Sequence, residues 1–230
     1  MVSVSAVIFD VDGTILDTVD LQATAWQRAL QRFGHEVSLE KLRHHIGKGA
    51  DQLLPVFLSA EEIRRIGAEV AALHGELYGR ELLPRARAFP KVRELFERVA
   101  LDGLRIVLAS CSPRGVLDAS IERARVGDLL SGAVSADDAD RSKPHPDVFE
   151  AALDRLGSVD PREVVIVGDA PHDAEAAAKL GIPTVGLLCG GFPEIELVEA
   201  GCVAIYRDPE DLLARHEASP LSPSSPRRPF

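Results

Sequence analysis

The stretch Val7-Ile8-Phe9-Asp10-Val11-Asp12-Gly13-Thr14 decides how this chain is read. Its apolar run makes a short strand buried on both faces, and that strand ends in two carboxylates. Charge at the edge of a core is expensive unless it is paired, bound to metal or used in chemistry. Alternate residues of an extended chain point the same way, so Asp10 and Asp12 can share one site. Gly13 lets the backbone turn sharply behind them. Taken alone, the stretch admits a second, less favoured reading as a solvated turn at a strand end. The segments downstream choose between the two.

Outward from this strand, the period becomes helical over 18–33, with Trp26, Ala29, Leu30 and Phe33 on one stripe and Gly34 as a stop. Residues 38–58 read as short helices broken by Gly47-Lys48-Gly49. From about Ala60 to Tyr78, Ile63, Ile66, Val70, Leu73 and Leu77 form an amphipathic stripe, and Ser59 with Glu62 supplies a capping box. Residues 18–80 therefore carry helices and no strand. Beyond Pro84 helices and strands alternate, with strands at 106–109, near 132–135, at 163–168, at 182–188 and near 203–206. That alternation predicts an α/β fold: a Rossmann-like, doubly wound parallel sheet with an inserted all-helical cap domain. The core is expected over 1–17 and 82–216, the cap over 18–81, and a disordered tail over 217–230, which is rich in serine and proline.

A net charge of −10 argues against a nucleic-acid partner. No apolar run reaches membrane-spanning length, and the start of the chain lacks the order of a signal peptide. The three cysteines, Cys111, Cys189 and Cys202, are widely spaced and lack metal-ligand spacing, so reduced thiols in a cytoplasmic protein are expected.

Ligands of an open parallel sheet bind beyond the carboxyl ends of its strands. Behind those ends stand Asp10 and Asp12, then Ser110, then Gly168-Asp169 with Asp173 four residues on. Lys143-Pro144 precedes a helix between the second and last of these. The inventory suits phosphoryl transfer. Magnesium takes a few carboxylates together with water and substrate phosphate, and Asp10 and Asp169 can supply them. Lys143 adds a cation, and Ser110 can donate to phosphate oxygens. A carboxylate nucleophile splits hydrolysis into two steps, and Asp12 is placed to move the protons.

The set resembles the haloacid dehalogenase superfamily, in its phosphoglycolate phosphatase and β-phosphoglucomutase-like branch with a helical cap after the first strand. The motifs that carry the resemblance are Ile8-Phe9-Asp10-Val11-Asp12-Gly13-Thr14, Leu108-Ala109-Ser110, Lys143-Pro144 and Val167-Gly168-Asp169-Ala170-Pro171-His172-Asp173. The resemblance implies that Asp10 is the nucleophile and a Mg2+ ligand, and that Asp12 is the acid/base and a further ligand through its backbone carbonyl. It also implies Ser110 and Lys143 on phosphate, Asp169 on the metal, and Asp173 supporting it. The implied activity is hydrolysis of a small phosphate monoester through an aspartyl-phosphate, of phosphoglycolate or sugar-phosphate type. The implied partner is a small phosphorylated metabolite, and the chain would be a monomer or homodimer.

Other functions on the same fold are separable by residue. Dehalogenases lack an acid at the position of Asp12. Sugar-phosphate mutases carry a histidine ahead of an Ala-Trp pair, where this chain has Gln22 ahead of Ala25-Trp26. Phosphonate hydrolysis would need a cap lysine in an apolar site. A non-catalytic phospholigand-binding protein would have no need of Asp10, Asp12, Lys143 and Asp169 together. In the cap, Lys48 and His45 beside Gly47 and Gly49 are the candidates for substrate specificity. Ser112 and Arg114 read as ordinary helix-start residues, and His145 and His172 as exposed loop histidines.

Overall fold

The computed structural model describes residues 3–222. Strand β1 (Ala6–Phe9) leads through a tight turn to β2 (Leu16–Asp17). The cap follows as α1 (Val19–Arg32), α2 (Leu39–Arg43), α3 (Ala50–Phe57) and α4 (Ala60–Leu77), the last running into a π-helical turn at Tyr78–Leu82. The chain returns through β3 (Arg87–Ala88), α5 (Val92–Leu101), β4 (Arg105–Ala109), α6 (Arg114–Ala124) and β5 (Gly132–Val134). It ends with α7 (Asp147–Leu156), β6 (Val164–Gly168), α8 (Pro171–Ala178), β7 (Thr184–Leu187), α9 (Glu194–Glu199), β8 (Cys202–Tyr206) and α10 (Pro209–Ala214).

The main sheet has six strands in the order β5-β4-β1-β6-β7-β8, and every neighbouring pair is parallel. Period-two alternation sorts its side chains onto two cores. Val7, Phe9, Ile106, Leu108, Val165 and Val167 face Leu95, Phe96 and Val99 of α5. Ala6, Ile8, Val107, Val164 and Ile166 face Phe149 and Ala152 of α7 and Ala176 of α8. Both faces are thus helix-covered, which explains why the strands read as continuous apolar runs. After β1 the chain builds outward on one side through β4 and β5, then crosses to β6 on the other. The crevice at this reversal opens at the carboxyl end of β1, where Asp10 stands.

The cap has a core of its own. Trp26, Ala29 and Leu30 of α1 pack with Leu53 and Leu54 of α3 and Val70 of α4. Ile63, Ile66, Leu73 and Leu77 lie against the same cluster, as the stripe requires. Ser59 and Glu62 make the capping box with both of its hydrogen bonds.

Two features differ from the sequence reading. The chain enters and leaves the cap through an antiparallel ribbon of β2 and β3, with Leu16 opposite Ala88 and Asp17 opposite Arg87. Two-residue strands leave no periodic signal. The second is the tail, expected to be disordered from 217. Residues 219–222 instead settle on the core, with Leu221 fully buried and the Ser219 hydroxyl donating to His216 O at 2.7 Å, while Glu217 and Ala218 are exposed. The rest of that expectation, 223–230, lies outside the described residues.

Candidate active site

The turn after β1 is wound tightly by hydrogen bonds from the amides of Ile15 and Leu16 to Val11 O, at 3.0 and 3.1 Å. Gly13 sits at φ +84°, and a Cβ there would lie 2.4 Å from Asp169 Oδ2. Glycine is required for the backbone conformation and for that close approach. A Cβ on Gly190, in the loop after β7, would meet the same oxygen at 1.7 Å. Two glycines thus hollow out the space around the Asp169 carboxylate.

Asp10, Lys143, Asp169 and Asp173 are buried together at this strand edge. Lys143 Nζ lies 2.5 Å from Asp10 Oδ1 and 2.8 Å from Asp173 Oδ1. The Thr14 hydroxyl is 3.2 Å from Asp10 Oδ2 and 2.8 Å from Asp169 Oδ1. One oxygen from each of Asp10, Asp169 and Asp173 lies within 4.8 Å of the others. Three carboxylates thus face one ammonium.

The electrostatics follow from that imbalance. Burial, with Asp173 and Asp12 nearby and Lys143 opposing, pushes Asp10 up to about 7. Burial and the charges of Asp10 and Asp173 push Asp169 well above the carboxylate range. Burial alone would lower Lys143, but Asp10 and Asp173 outweigh it and hold the ammonium charged. Hard carboxylate oxygens, clustered with excess negative charge and a hollow beside Asp169, fit a small divalent cation such as magnesium.

Asp12 is turned away from this cluster. Its Oδ1 accepts hydrogen bonds from Thr18 Oγ1 at 2.7 Å, Tyr78 OH at 3.2 Å and Gln22 Nε2 at 3.3 Å. Its Oδ2 accepts from Ser112 Oγ at 3.3 Å. Ser110 is buried at the end of β4, its Oγ accepting from the Ser112 amide at 3.1 Å.

Above Asp10 and Asp12 a cavity of about 320 Å³ opens between core and cap. Its walls include Trp26, Lys48 and His74 from the cap and Ser112 and Val116 from the core. His74 stacks on Trp26 with ring centroids 3.8 Å apart, and its Nε2–H donates to Gln22 Oε1 at 2.9 Å. Burial lowers His74 to about 3, so the ring is neutral.

The structure therefore gathers Asp10, Lys143, Asp169 and Asp173 into one cluster, sets Asp12 beside it, and puts Lys48 on the cavity wall. His45 does not line the cavity; its Nδ1 is 3.2 Å from Lys48 Nζ and its ring packs edge-on against Phe57. Burial, with Lys48 adding to it, lowers His45 to about 4, which leaves it neutral and able to accept from Lys48. Two further corrections concern residues first read as bystanders. Ser112 reaches Asp12, and His172 is buried in the first turn of α8, its Nε2–H donating to Ile46 O of the cap at 2.7 Å. The sequence reading gave no role to Thr14, Thr18, His74 or Tyr78. For Thr14 and Thr18, proximity to the Asp10-Asp12 pair was an available signal. For His74 and Tyr78 it was not, because they lie 52 and 66 residues from their partners.

The family described as haloacid dehalogenase-like hydrolase matches residues 7–187. A phosphorylated carbohydrates phosphatase of Thermotoga maritima is 29% identical over 217 residues, covering 90% of this chain and 96% of that protein. A phosphoglycolate phosphatase of Yersinia pseudotuberculosis is 30% identical over 192 residues, covering 82% of each. Among solved structures, a hydrolase from Pseudomonas syringae superposes with a TM-score of 0.83 at 28% identity, covering 93% of this chain and 98% of that one.

Proposed function

The chain belongs to the haloacid dehalogenase-like hydrolases, and from that membership we propose that it is a magnesium-dependent phosphatase of small phosphate monoesters, of phosphoglycolate or sugar-phosphate type. The observation that carries this reading is the buried cluster of Asp10, Lys143, Asp169 and Asp173 with Asp12 held beside it. Magnesium held by Asp10, Asp169, Asp173 and the Asp12 carbonyl would offset carboxylate charge and draw in the phosphate dianion. Each close unit-charge pair is worth about 4 kcal/mol at an effective dielectric near 20, so unscreened carboxylates would repel that dianion.

Asp10 attacks phosphorus, forming an acyl phosphate as the bond to the leaving oxygen breaks. Asp12 gives its proton to that oxygen and so releases the alcohol. It then takes a proton from water, whose oxygen attacks phosphorus, and inorganic phosphate leaves with the Asp10 carboxylate restored. Lys143 and Ser110 hold phosphate oxygens in both steps. Four donors fix the Asp12 carboxyl group, so the group that moves the proton is held in one orientation. Gln22, 3.3 Å from Asp12, has no titrating proton, which supports hydrolysis over a mutase cycle.

The test is phosphate release from a panel of small esters (phosphoglycolate, sugar phosphates and p-nitrophenyl phosphate) with magnesium and with EDTA, using Asp10→Asn as control. Magnesium-dependent turnover lost in Asp10→Asn is expected. A wild-type protein that releases no phosphate from the panel overturns the reading.

A further inference from the structure

The cap loop around Gly47-Lys48-Gly49 is gripped by the core at several points. The Gly49 amide donates to Ser142 Oγ at 2.8 Å. Ser142 in turn donates to Asp51 twice, from its amide to Oδ2 at 3.0 Å and from its hydroxyl to Oδ1 at 2.5 Å. Nearby, His172 donates to Ile46 O, and Phe192 packs its ring edge-on against both His44 and His172.

Both glycines are where the cap loop touches the core. A Cβ on Gly49 would lie 2.8 Å from Ser142 Cβ and Oγ, and one on Gly47 would lie 2.7 Å from His172 Nε2. The backbone of the cap loop is therefore pressed onto the core with no room for a side chain. Burial alone would raise Asp51, but hydrogen bonds from Ser142 and Gln52 outweigh it and hold the carboxylate below its usual range. The acceptor of the clasp is thus ionised at neutral pH, where hydrogen bonds to it are strongest.

What the clasp joins gives it meaning. On the core side, Ser142 is bonded directly to Lys143, which reaches Asp10. On the cap side, Gly49 follows Lys48, which lines the cavity. We propose that Asp51, Ser142 and Gly49 form a clasp that holds the cap closed, making Asp51 and Ser142 positioning residues that register Lys48 and Lys143 on opposite sides of one bound substrate. The kinetic half of this inference rests on the phosphatase reading; the closure half does not. With the clasp broken, the binding-competent closed state is depopulated and apparent affinity falls in proportion, while a substrate that recloses the cap reacts at its former rate.

The experiment uses the full chain and the single-site variants Asp51→Ala and Ser142→Ala with their double variant. Trp26 is the sole tryptophan, is 4% exposed and lines the cavity, so acrylamide quenching of its fluorescence reads cap opening without any substrate. Loss of the clasp's hydrogen bonds is expected to shift the open-to-closed ratio about 10-fold and to raise quenching in each single variant. The two single variants share only the bond from the Ser142 hydroxyl to Asp51, so the double variant should exceed either one yet fall short of their sum. In turnover, KM rises with kcat retained. Thermal melts confirm that each variant is folded. Folded variants quenched like wild type overturn the clasp whatever the activity, and so does a fall in kcat at constant KM. Absence of turnover in wild type would instead strike the phosphatase reading, and quenching would still decide the clasp.

Discussion

Lys143 Nζ lies 2.5 Å from Asp10 Oδ1, and neither side chain is more than 3% exposed. The pair is part of a cluster with surplus negative charge, so its two members should respond differently to mutation. Lys143→Met leaves three buried carboxylates without their cation and should cost about 3–5 kcal/mol of stability, read as a lower denaturation midpoint. Asp10→Asn relieves repulsion and should leave metal-free stability at or above wild type. Activity should fall by about 10,000-fold or more, because no nucleophile remains. An Asp10→Asn protein that is clearly less stable than wild type would contradict a surplus of negative charge in the cluster.

Magnesium itself should stabilise the fold. A ligand present at 100 times its Kd adds about 2.7 kcal/mol to the stability of the state that binds it. Thermal melts of wild type should therefore shift upward with magnesium, and the shift should shrink in Asp169→Asn and in Asp173→Asn. Undiminished shifts in both variants would move the metal elsewhere.

The donors around Asp12 make a graded prediction. Tyr78→Phe and Ser112→Ala each remove one hydrogen bond to its carboxylate. A net loss of about 1 kcal/mol corresponds to roughly a fivefold fall in kcat. Asp12→Asn should nearly abolish turnover, and pre-steady-state phosphate release distinguishes slowed transfer from slowed hydrolysis of the acyl phosphate.

How much of this was visible in the sequence depends on where each residue gets its meaning. Asp10, Lys143, Asp169 and Asp173 were legible because each stands directly behind a strand, ahead of a helix or in a helix's first turn, and the topology of an open parallel sheet brings such positions to one edge. The strands and the amphipathic α4 were legible because burial imposes a period. His172 was misread as an exposed loop histidine because its burial comes from the cap settling on it, which no local pattern records. Ser112 was passed over because any helix start suits a serine. His74 and Tyr78 gain their roles only when α4 lies across α1, and the β2–β3 ribbon is too short to have a period.

His74 supplies a pH prediction whose sign is fixed. Its pKa in the folded protein is about 3, below the 6.5 of a free histidine. The unfolded chain therefore binds the extra proton first. The associated stability is intact above pH 6.5, erodes as pH falls, and is fully lost near 3. At pH 5 the deficit is about 1–2 kcal/mol. Denaturant melts at pH 7.5 and pH 5 should show a smaller difference for His74→Gln than for wild type. Equal differences would mean that the ring does not stay neutral in the fold.

Lys48 should discriminate among substrates. Lys48→Ala is expected to raise KM about 10-fold for a phosphate ester bearing a second anionic group, in line with the loss of a charge-assisted hydrogen bond. Turnover of p-nitrophenyl phosphate, which lacks such a group, should change little. Equal losses on both substrates would place Lys48 outside recognition.

The ribbon of Leu16–Asp17 with Arg87–Ala88 has an implication for the history and engineering of the chain. Paired antiparallel residues sit about 5 Å apart, so the insertion leaves and re-enters the core through a single narrow doorway. A segment spliced in at one such point can be exchanged as a cassette, because its covalent links to the core are two neighbouring chain ends whatever lies between them. Shortening the doorway to a two-residue turn should give a bare α/β core that still presents Asp10, Lys143 and Asp169. Grafting a different cap onto the same two strands would then alter what is admitted and leave Asp10, Lys143 and Asp169 where they are, while Asp12 would need new donors in place of Gln22 and Tyr78.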